Sequence, residues 1–186
     1  MDSLFSLGQR LRESPSIDFS GFSGDAGMYV KVVPVKNREH RALTDLILKQ
    51  LPCPVRPSEY LDDPHVTVIW SRLAVKKREI MGVCDVVGKR YPATAIGASY
   101  WPGHDNVGYI VFNVKSIELV NLHEMLVMLG AQHSFYTYEP HVTIAARVGP
   151  LTPRLRDWLE SLNASLARKP MPMMLSSVSV SDLWDS

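Results

Sequence analysis

Pro64-His65-Val66-Thr67 and its second copy, Pro140-His141-Val142-Thr143, decide how this chain folds. Each copy leads into apolar residues, so each predicts the beginning of a β-strand. Because successive side chains of a strand point to opposite faces, the histidine and threonine of one copy share a face and the valine lies on the other. An imidazole and a hydroxyl on one face, supplied twice, suit the binding of a phosphate and the transfer of protons around it.

A strand, a helix, a proline-rich or aromatic loop and a Pro-His-Val-Thr strand follow one another twice, at about 28–71 and 107–147. If the halves pack about a pseudo-two-fold axis, the two histidine strands become neighbours. We therefore predict an α+β domain in which two antiparallel or mixed sheets form a central cleft, with helices outside. Residues 27–186 form this single domain. Residues 1–26, rich in Ser and Gly, are expected to be an extension that packs as a short helix or stays mobile.

The remaining elements follow from local patterns. The sequence predicts a helix after Asn37, a hairpin of strands 94–101 and 107–114, and a helix capped by Ser116. Thr152-Pro153 opens a further helix, and a last strand covers about 175–183. The stretch 75–88 is compatible with either a helix or a strand.

Composition excludes several classes of protein. The 186 residues are 46% hydrophobic and carry a net charge of +1, so neither long nucleic acid nor a membrane surface is expected as a partner. There is no apolar run near the roughly 18 residues of a membrane span, and two cysteines are too few for a disulfide framework. We expect a soluble cytoplasmic protein; its oligomeric state is open.

The chemistry expected at the cleft is proton transfer by His65 and His141, since imidazole titrates near neutrality. One would act as base and the other as acid, in an order that the sequence leaves open. Thr67 and Thr143 can donate hydrogen bonds to non-bridging phosphate oxygens. Two histidines without further ligands make a poor zinc site, so no metal or cofactor is expected. Asp62 and Asp63 are interpreted as turn residues.

Strand alternation adds further candidates for the cleft. Lys31 shares a face with Tyr29, and Arg147 is expected on the face of His141 and Thr143; the alternative for both cations is a solvated edge. Tyr138, just before the second motif, is expected to line the cleft. His123 lies on a predicted helix and is expected at the surface or the boundary of the core.

The paired motif resembles that of the two-histidine (2H) phosphoesterase superfamily. The surrounding residues resemble the phage anti-CBASS nucleases over about 27–148: Gly27-Met28-Tyr29-Val30, Leu51-Pro52-Cys53-Pro54-Val55-Arg56, His65 to Arg72, and Leu129-Gly130-Ala131 ahead of Tyr138 and Pro140-His141-Val142-Thr143-Ile144. The resemblance implies degradation of cyclic di- and trinucleotide defence signals at 3′–5′ linkages, without metal, in the host cytoplasm if the chain is phage-encoded.

The same resemblance implies catalytic roles for His65, Thr67, His141 and Thr143, and base stacking on Tyr29 and Trp101. For Tyr29 the alternative is a core aromatic, because tyrosine favours strands. The substrate would be a cyclic oligonucleotide. Two other functions stay open: cleavage of 2′,3′-cyclic phosphates or 2′–5′ linkages, and sequestration of cyclic nucleotides without cleavage.

Overall fold

The computed structural model describes residues 17–34, 51–52, 64–87, 90–103, 107–132 and 137–183. Within these ranges lie seven strands and three helices. The strands are β1 (Ile17–Gly21), β2 (Met28–Pro34), β3 (Val66–Ser71), β4 (Tyr91–Pro102), β5 (Gly108–Lys115), β6 (His141–Val148) and β7 (Met171–Asp182). The helices are α1 (Lys77–Val87), α2 (Ile117–Met128) and α3 (Pro153–Arg168). The helix expected after Asn37 lies outside the described residues.

The strands form one sheet in the order β1-β7-β2-β3-β6-β5-β4, with β7 also pairing with β4. All pairs are antiparallel except β1 with β7. The predicted α+β class is confirmed. The two predicted sheets are joined into one, because the twelve-residue strand β7 runs through both halves: Met171–Leu175 pairs with β4 and Leu175–Asp182 pairs with β2.

The buried apolar side chains of the described residues form one core behind the sheet. Alternate residues of β2 are buried (Met28, Val30 and Val32, each 0% exposed), as period-two strand patterning requires. Helix α2 packs on β3 and β4, α1 packs on α2, and α3 packs along β4. The helices thus cover the apolar side of the sheet, as expected from the sequence.

The helix ends follow the predicted capping residues. The Ser116 side chain accepts a hydrogen bond from the Leu119 amide at the beginning of α2, and the Thr152 side chain accepts one from the Leu155 amide at the beginning of α3. The predicted hairpin is confirmed as β4 and β5, and the ambiguous stretch is the helix α1. Within the described residues, no helix is long and apolar enough to cross a membrane.

The expectation that residues 1–26 pack as a short helix or stay mobile is wrong for residues 17–22. Residues 17–21 form strand β1, which pairs in parallel with β7, and the next residue, Phe22, is 4% exposed and belongs to the core. The Asp182 carboxylate accepts hydrogen bonds from the amides of Ser23 and Gly24 and ties the following loop to β7. The Ser and Gly content of this segment does not indicate a strand, and the partner strand β7 comes from the other end of the chain.

Candidate active site

The two Pro-His-Val-Thr motifs meet where the halves of the sheet join. Strands β3 and β6 pair through Val66 and Val142, which lie directly opposite each other and are 0% and 4% exposed. In an antiparallel register the neighbours of such a pair are also opposed, so His65 falls beside Thr143 and His141 beside Thr67. All four point away from the buried valines. We call this side of the sheet the histidine face.

Tyr29 joins the first histidine and threonine. Its hydroxyl lies 2.7 Å from Nε2 of His65 and 3.0 Å from Oγ1 of Thr67. The tyrosine ring stands edge-on to the imidazole, with ring centres 6.1 Å apart and planes at 88°. Tyr29 therefore lies on the histidine face and is not a core aromatic. One hydroxyl holds both reactive groups of the first motif.

His141 is fixed differently from His65. Its Nδ1–H donates to the Glu139 carbonyl at 2.9 Å, so Nε2 carries the lone pair of the neutral ring. Burial lowers the pKa of His141 below its usual 6.5, and the nearby His65 lowers it further, while the Glu139 carbonyl opposes these two effects. The indole of Trp101 packs against the ring at a tilt of 53°, with centres 4.2 Å apart. The lowered pKa favours the neutral form of this ring, whose Nε2 can accept a proton.

The structure places Lys31 beside the motif. Lys31 lies opposite Thr67 on β3 and opposite Ser179 on β7, on the same face as Tyr29. Because Lys31 pairs with Thr67 and Thr67 falls beside His141, these three residues form one row across strands β2, β3 and β6. A cation in this row attracts a phosphate.

The structure removes the argument that placed Arg147 on the face of His141 and Thr143. The alternation from Thr143 to residue 147 is broken, because the register of β6 against β5 shifts twice, between Val111 and Ile110 and between Ile110 and Gly108. Arg147 itself is exposed and has a φ of 55°, a left-handed conformation at the second irregularity. Its place relative to the histidines cannot be derived from strand parity.

Tyr138, which is partly buried, and His123, which is buried, form a stacked pair. Their rings stack with centres 4.1 Å apart and planes at 6°. Tyr138 donates a hydrogen bond to the Thr67 carbonyl at 3.3 Å, and burial raises its pKa. The prediction that His123 lies at the surface or the boundary is wrong, since it is only 6% exposed and its Nδ1–H donates to the Val68 carbonyl at 2.7 Å.

The sequence does not predict two residues of the histidine face, Trp70 and Asn113. Trp70 lies directly opposite Tyr29, and the Arg72 guanidinium lies 5.3 Å from its ring centre. Asn113 lies opposite His141 on β5, and its amide donates to the Ser99 hydroxyl at 2.9 Å. Pairing across strands is the only signal for either residue, and a single sequence does not give the register.

A metal ion would need several donor side chains close together in the described part of the chain. There, no three His, Cys, Asp or Glu side chains come together as a metal would require. Asp62 and Asp63 lie outside the described residues.

Comparison with solved structures shows which fold the chain has. The chain is similar to the Usb1 structure from Kluyveromyces marxianus, with a TM-score of 0.51 at 12% identity over 84% of this chain and 94% of that one. E. coli LigT complexed with 3′-AMP aligns with a TM-score of 0.44 at 15% identity, over 68% of this chain and 76% of LigT. The chain therefore shares the fold of the Usb1 structure.

The family follows from the sequence comparison. The family model described as anti-CBASS protein Acb1 matches residues 26–162, and the chain therefore belongs to the Acb1 anti-CBASS family. The anti-CBASS protein Acb1 of Vibrio phage KVP40 is 29% identical over 92 residues, which are 50% of this chain and 54% of that protein. The match thus spans about half the length of the phage relative.

Proposed function

We propose that this chain is a phosphodiesterase that hydrolyses 3′–5′ linkages of cyclic di- and trinucleotide signals and so counters CBASS antiviral defence in the host cytoplasm. The observation that carries the proposal is the meeting of the two motifs at Val66 and Val142, which brings both histidines and both threonines to one face. Membership in the Acb1 anti-CBASS family supports the biological role.

The asymmetry of the two histidines supports a division of labour. His141, with its lowered pKa and its Nδ1–H bound to the Glu139 carbonyl, takes the proton from the attacking hydroxyl or water. His65 gives a proton to the departing ribose oxygen as the phosphorus–oxygen bond breaks. The proton taken at one ring and the proton given at the other balance, so the two histidines supply both proton transfers of the step.

Charge develops on the non-bridging oxygens during this step. Thr67 and Thr143 donate hydrogen bonds to these oxygens, and Lys31, in the row of Thr67, adds a positive charge. The Tyr29 hydroxyl holds His65 and Thr67 in their mutual geometry. Trp101 and the ring of Tyr29 offer flat surfaces for nucleobases. Tyr138, held by the Thr67 carbonyl and by His123, supports the site from behind.

The decisive experiment compares substrates in the presence of EDTA. Purified protein is incubated with cyclic dinucleotides, cyclic trinucleotides and RNA-derived 2′,3′-cyclic phosphates, and products are identified by chromatography and mass spectrometry. We expect linearised 3′–5′ products with full activity in chelator. Cleavage of only the 2′,3′-cyclic phosphates, loss of activity in EDTA, or unchanged cyclic ligand after long incubation would each contradict the proposal.

Substitution of either histidine tests the assignment of the site. We expect His65→Ala and His141→Ala each to lower kcat by at least about a hundredfold, the usual contribution of a general acid or base, while ligand binding largely survives. Arg168→Ala is a comparison variant at an exposed position at the end of α3, and we expect a far smaller effect. Equal losses in all three variants would contradict the roles given to the histidines.

A further inference from the structure

We infer that His123 is a positioning residue that sets the two Pro-His-Val-Thr motifs against each other. The inference rests on the proposed function, since its main readout is turnover. His123 lies on α2, behind the sheet, where its ring contacts the Val68 carbonyl and the Tyr138 ring. These two contacts connect it to the chain immediately after the first motif and shortly before the second.

The first connection runs through Val68. Val30 pairs with Ile69 and the next residue, Lys31, pairs with Thr67, so Val68 is an extra residue in β3. Such a bulge turns the strand and changes which side chains share a face. This one puts Thr67 and Trp70 on the same face, although they are three residues apart. The carbonyl of the extra residue accepts the His123 Nδ1–H at 2.7 Å, which fixes the bulge beside the first motif.

The second connection runs through Tyr138. The rings of His123 and Tyr138 stack almost parallel, and the Tyr138 hydroxyl donates to the Thr67 carbonyl. Tyr138 is three residues ahead of His141, and between them the Pro140 carbonyl accepts the Val114 amide at 2.9 Å. The position of the Tyr138 ring therefore constrains where β6 and its histidine begin. One imidazole thus contacts the backbone just after the first motif directly, at Val68, and the segment just before the second motif through Tyr138.

The chemistry of histidine suits this place. A polar ring at 6% exposure is costly unless it is hydrogen-bonded, and an apolar residue would fill the core without that cost. The site uses two properties of the residue together: a flat ring for stacking and an N–H for the Val68 carbonyl. Phenylalanine retains only the ring, and asparagine retains only a donor.

The experiment separates these properties and uses a matched control. His123→Phe, His123→Asn and Leu126→Ala are compared, because Leu126 is fully buried on the same helix. We measure kcat and KM for a cyclic dinucleotide, the melting temperature, and NMR shifts of the amides of Thr67 and His141. Assays are run well below the lowest melting temperature. Comparison of the three variants then shows whether a loss of kcat comes from misplaced reacting groups or from lower stability of the fold.

For both His123 variants we expect kcat to fall about 10- to 100-fold, with KM within threefold, because misplacement of reacting groups by about 1 Å costs up to a hundredfold. The amides of both motifs should shift. Leu126→Ala should lower the melting temperature at least as much and keep kcat within threefold. The inference is overturned if His123→Phe and His123→Asn both turn over within twofold of the unsubstituted protein, or if kcat follows melting temperature in all three variants.

The proposed function and the role of His123 can fail independently in this experiment. If the unsubstituted protein cleaves none of the phosphodiesters, that function fails, and the NMR shifts alone decide the role of His123. Shifts at both motifs in the His123 variants, and not in Leu126→Ala, then support the role. Shifts confined to one motif overturn it.

Discussion

The Tyr29 hydroxyl offers a substitution that removes two contacts and leaves the ring. In Tyr29→Phe, the hydrogen bonds of 2.7 Å to His65 and 3.0 Å to Thr67 are lost. A neutral hydrogen bond contributes about 0.5–1.5 kcal/mol, so two contribute about 1–3 kcal/mol. If the whole of this energy holds the reacting geometry, kcat falls by about 5- to 150-fold. The ring still stacks, so KM should change little.

The assay is steady-state cleavage of a cyclic dinucleotide, followed by chromatography. Tyr29→Ala should show the same loss in kcat and, in addition, weaker binding by about 1–3 kcal/mol, because the stacking surface is lost. Tyr100→Phe is the matched control: its hydroxyl lies 3.3 Å from the Gly149 carbonyl and its ring packs against the core. We expect nearly unchanged kinetics there. A Tyr29→Phe protein with full kcat would refute the role given to the hydroxyl and leave Tyr29 as a base platform alone.

Three further predictions concern His141, Trp101 and Phe22. His65→Gln removes the neighbouring charge that lowers the pKa of His141, so that pKa should rise in an NMR titration; a fall would contradict the shared site. Trp101→Ala uncovers the His141 ring, so we expect a higher pKa by the same titration and binding weaker by about 1–3 kcal/mol, and unchanged affinity would exclude stacking on Trp101. Phe22→Ala should lower the free energy of unfolding by about 3–5 kcal/mol in urea, whereas an unchanged urea midpoint would mean that this part of the chain adds nothing to the core.

The sequence predicts the centre of the site because the two motifs are short. Within one Pro-His-Val-Thr copy, alternation places histidine and threonine together without knowledge of the partner strand. The buried Val66 and Val142 confirm this geometry. Trp101, predicted beside the cleft from the resemblance, lies against His141.

Prediction fails where the register shifts. A bulge at Val68 brings Trp70 onto the histidine face, and two shifts in β6 invalidate the parity argument for Arg147. Bulges depend on tertiary contacts, such as the hydrogen bond from His123 to the Val68 carbonyl, and leave no local pattern in the sequence. His123 is one polar residue in a helical pattern, and its burial likewise depends on tertiary contacts that the local sequence does not show. The sequence therefore predicts it, wrongly, at the surface or boundary.

A crystal structure with a hydrolysis-resistant phosphorothioate analogue of a cyclic dinucleotide would test the convergence of the two histidines most directly. We predict one phosphorus atom between the rings, with the attacking-side oxygen within hydrogen-bond distance of His141 Nε2 and the departing oxygen within reach of His65. A ligand bound elsewhere, or a phosphorus in contact with only one of the two rings, would contradict the two-histidine mechanism.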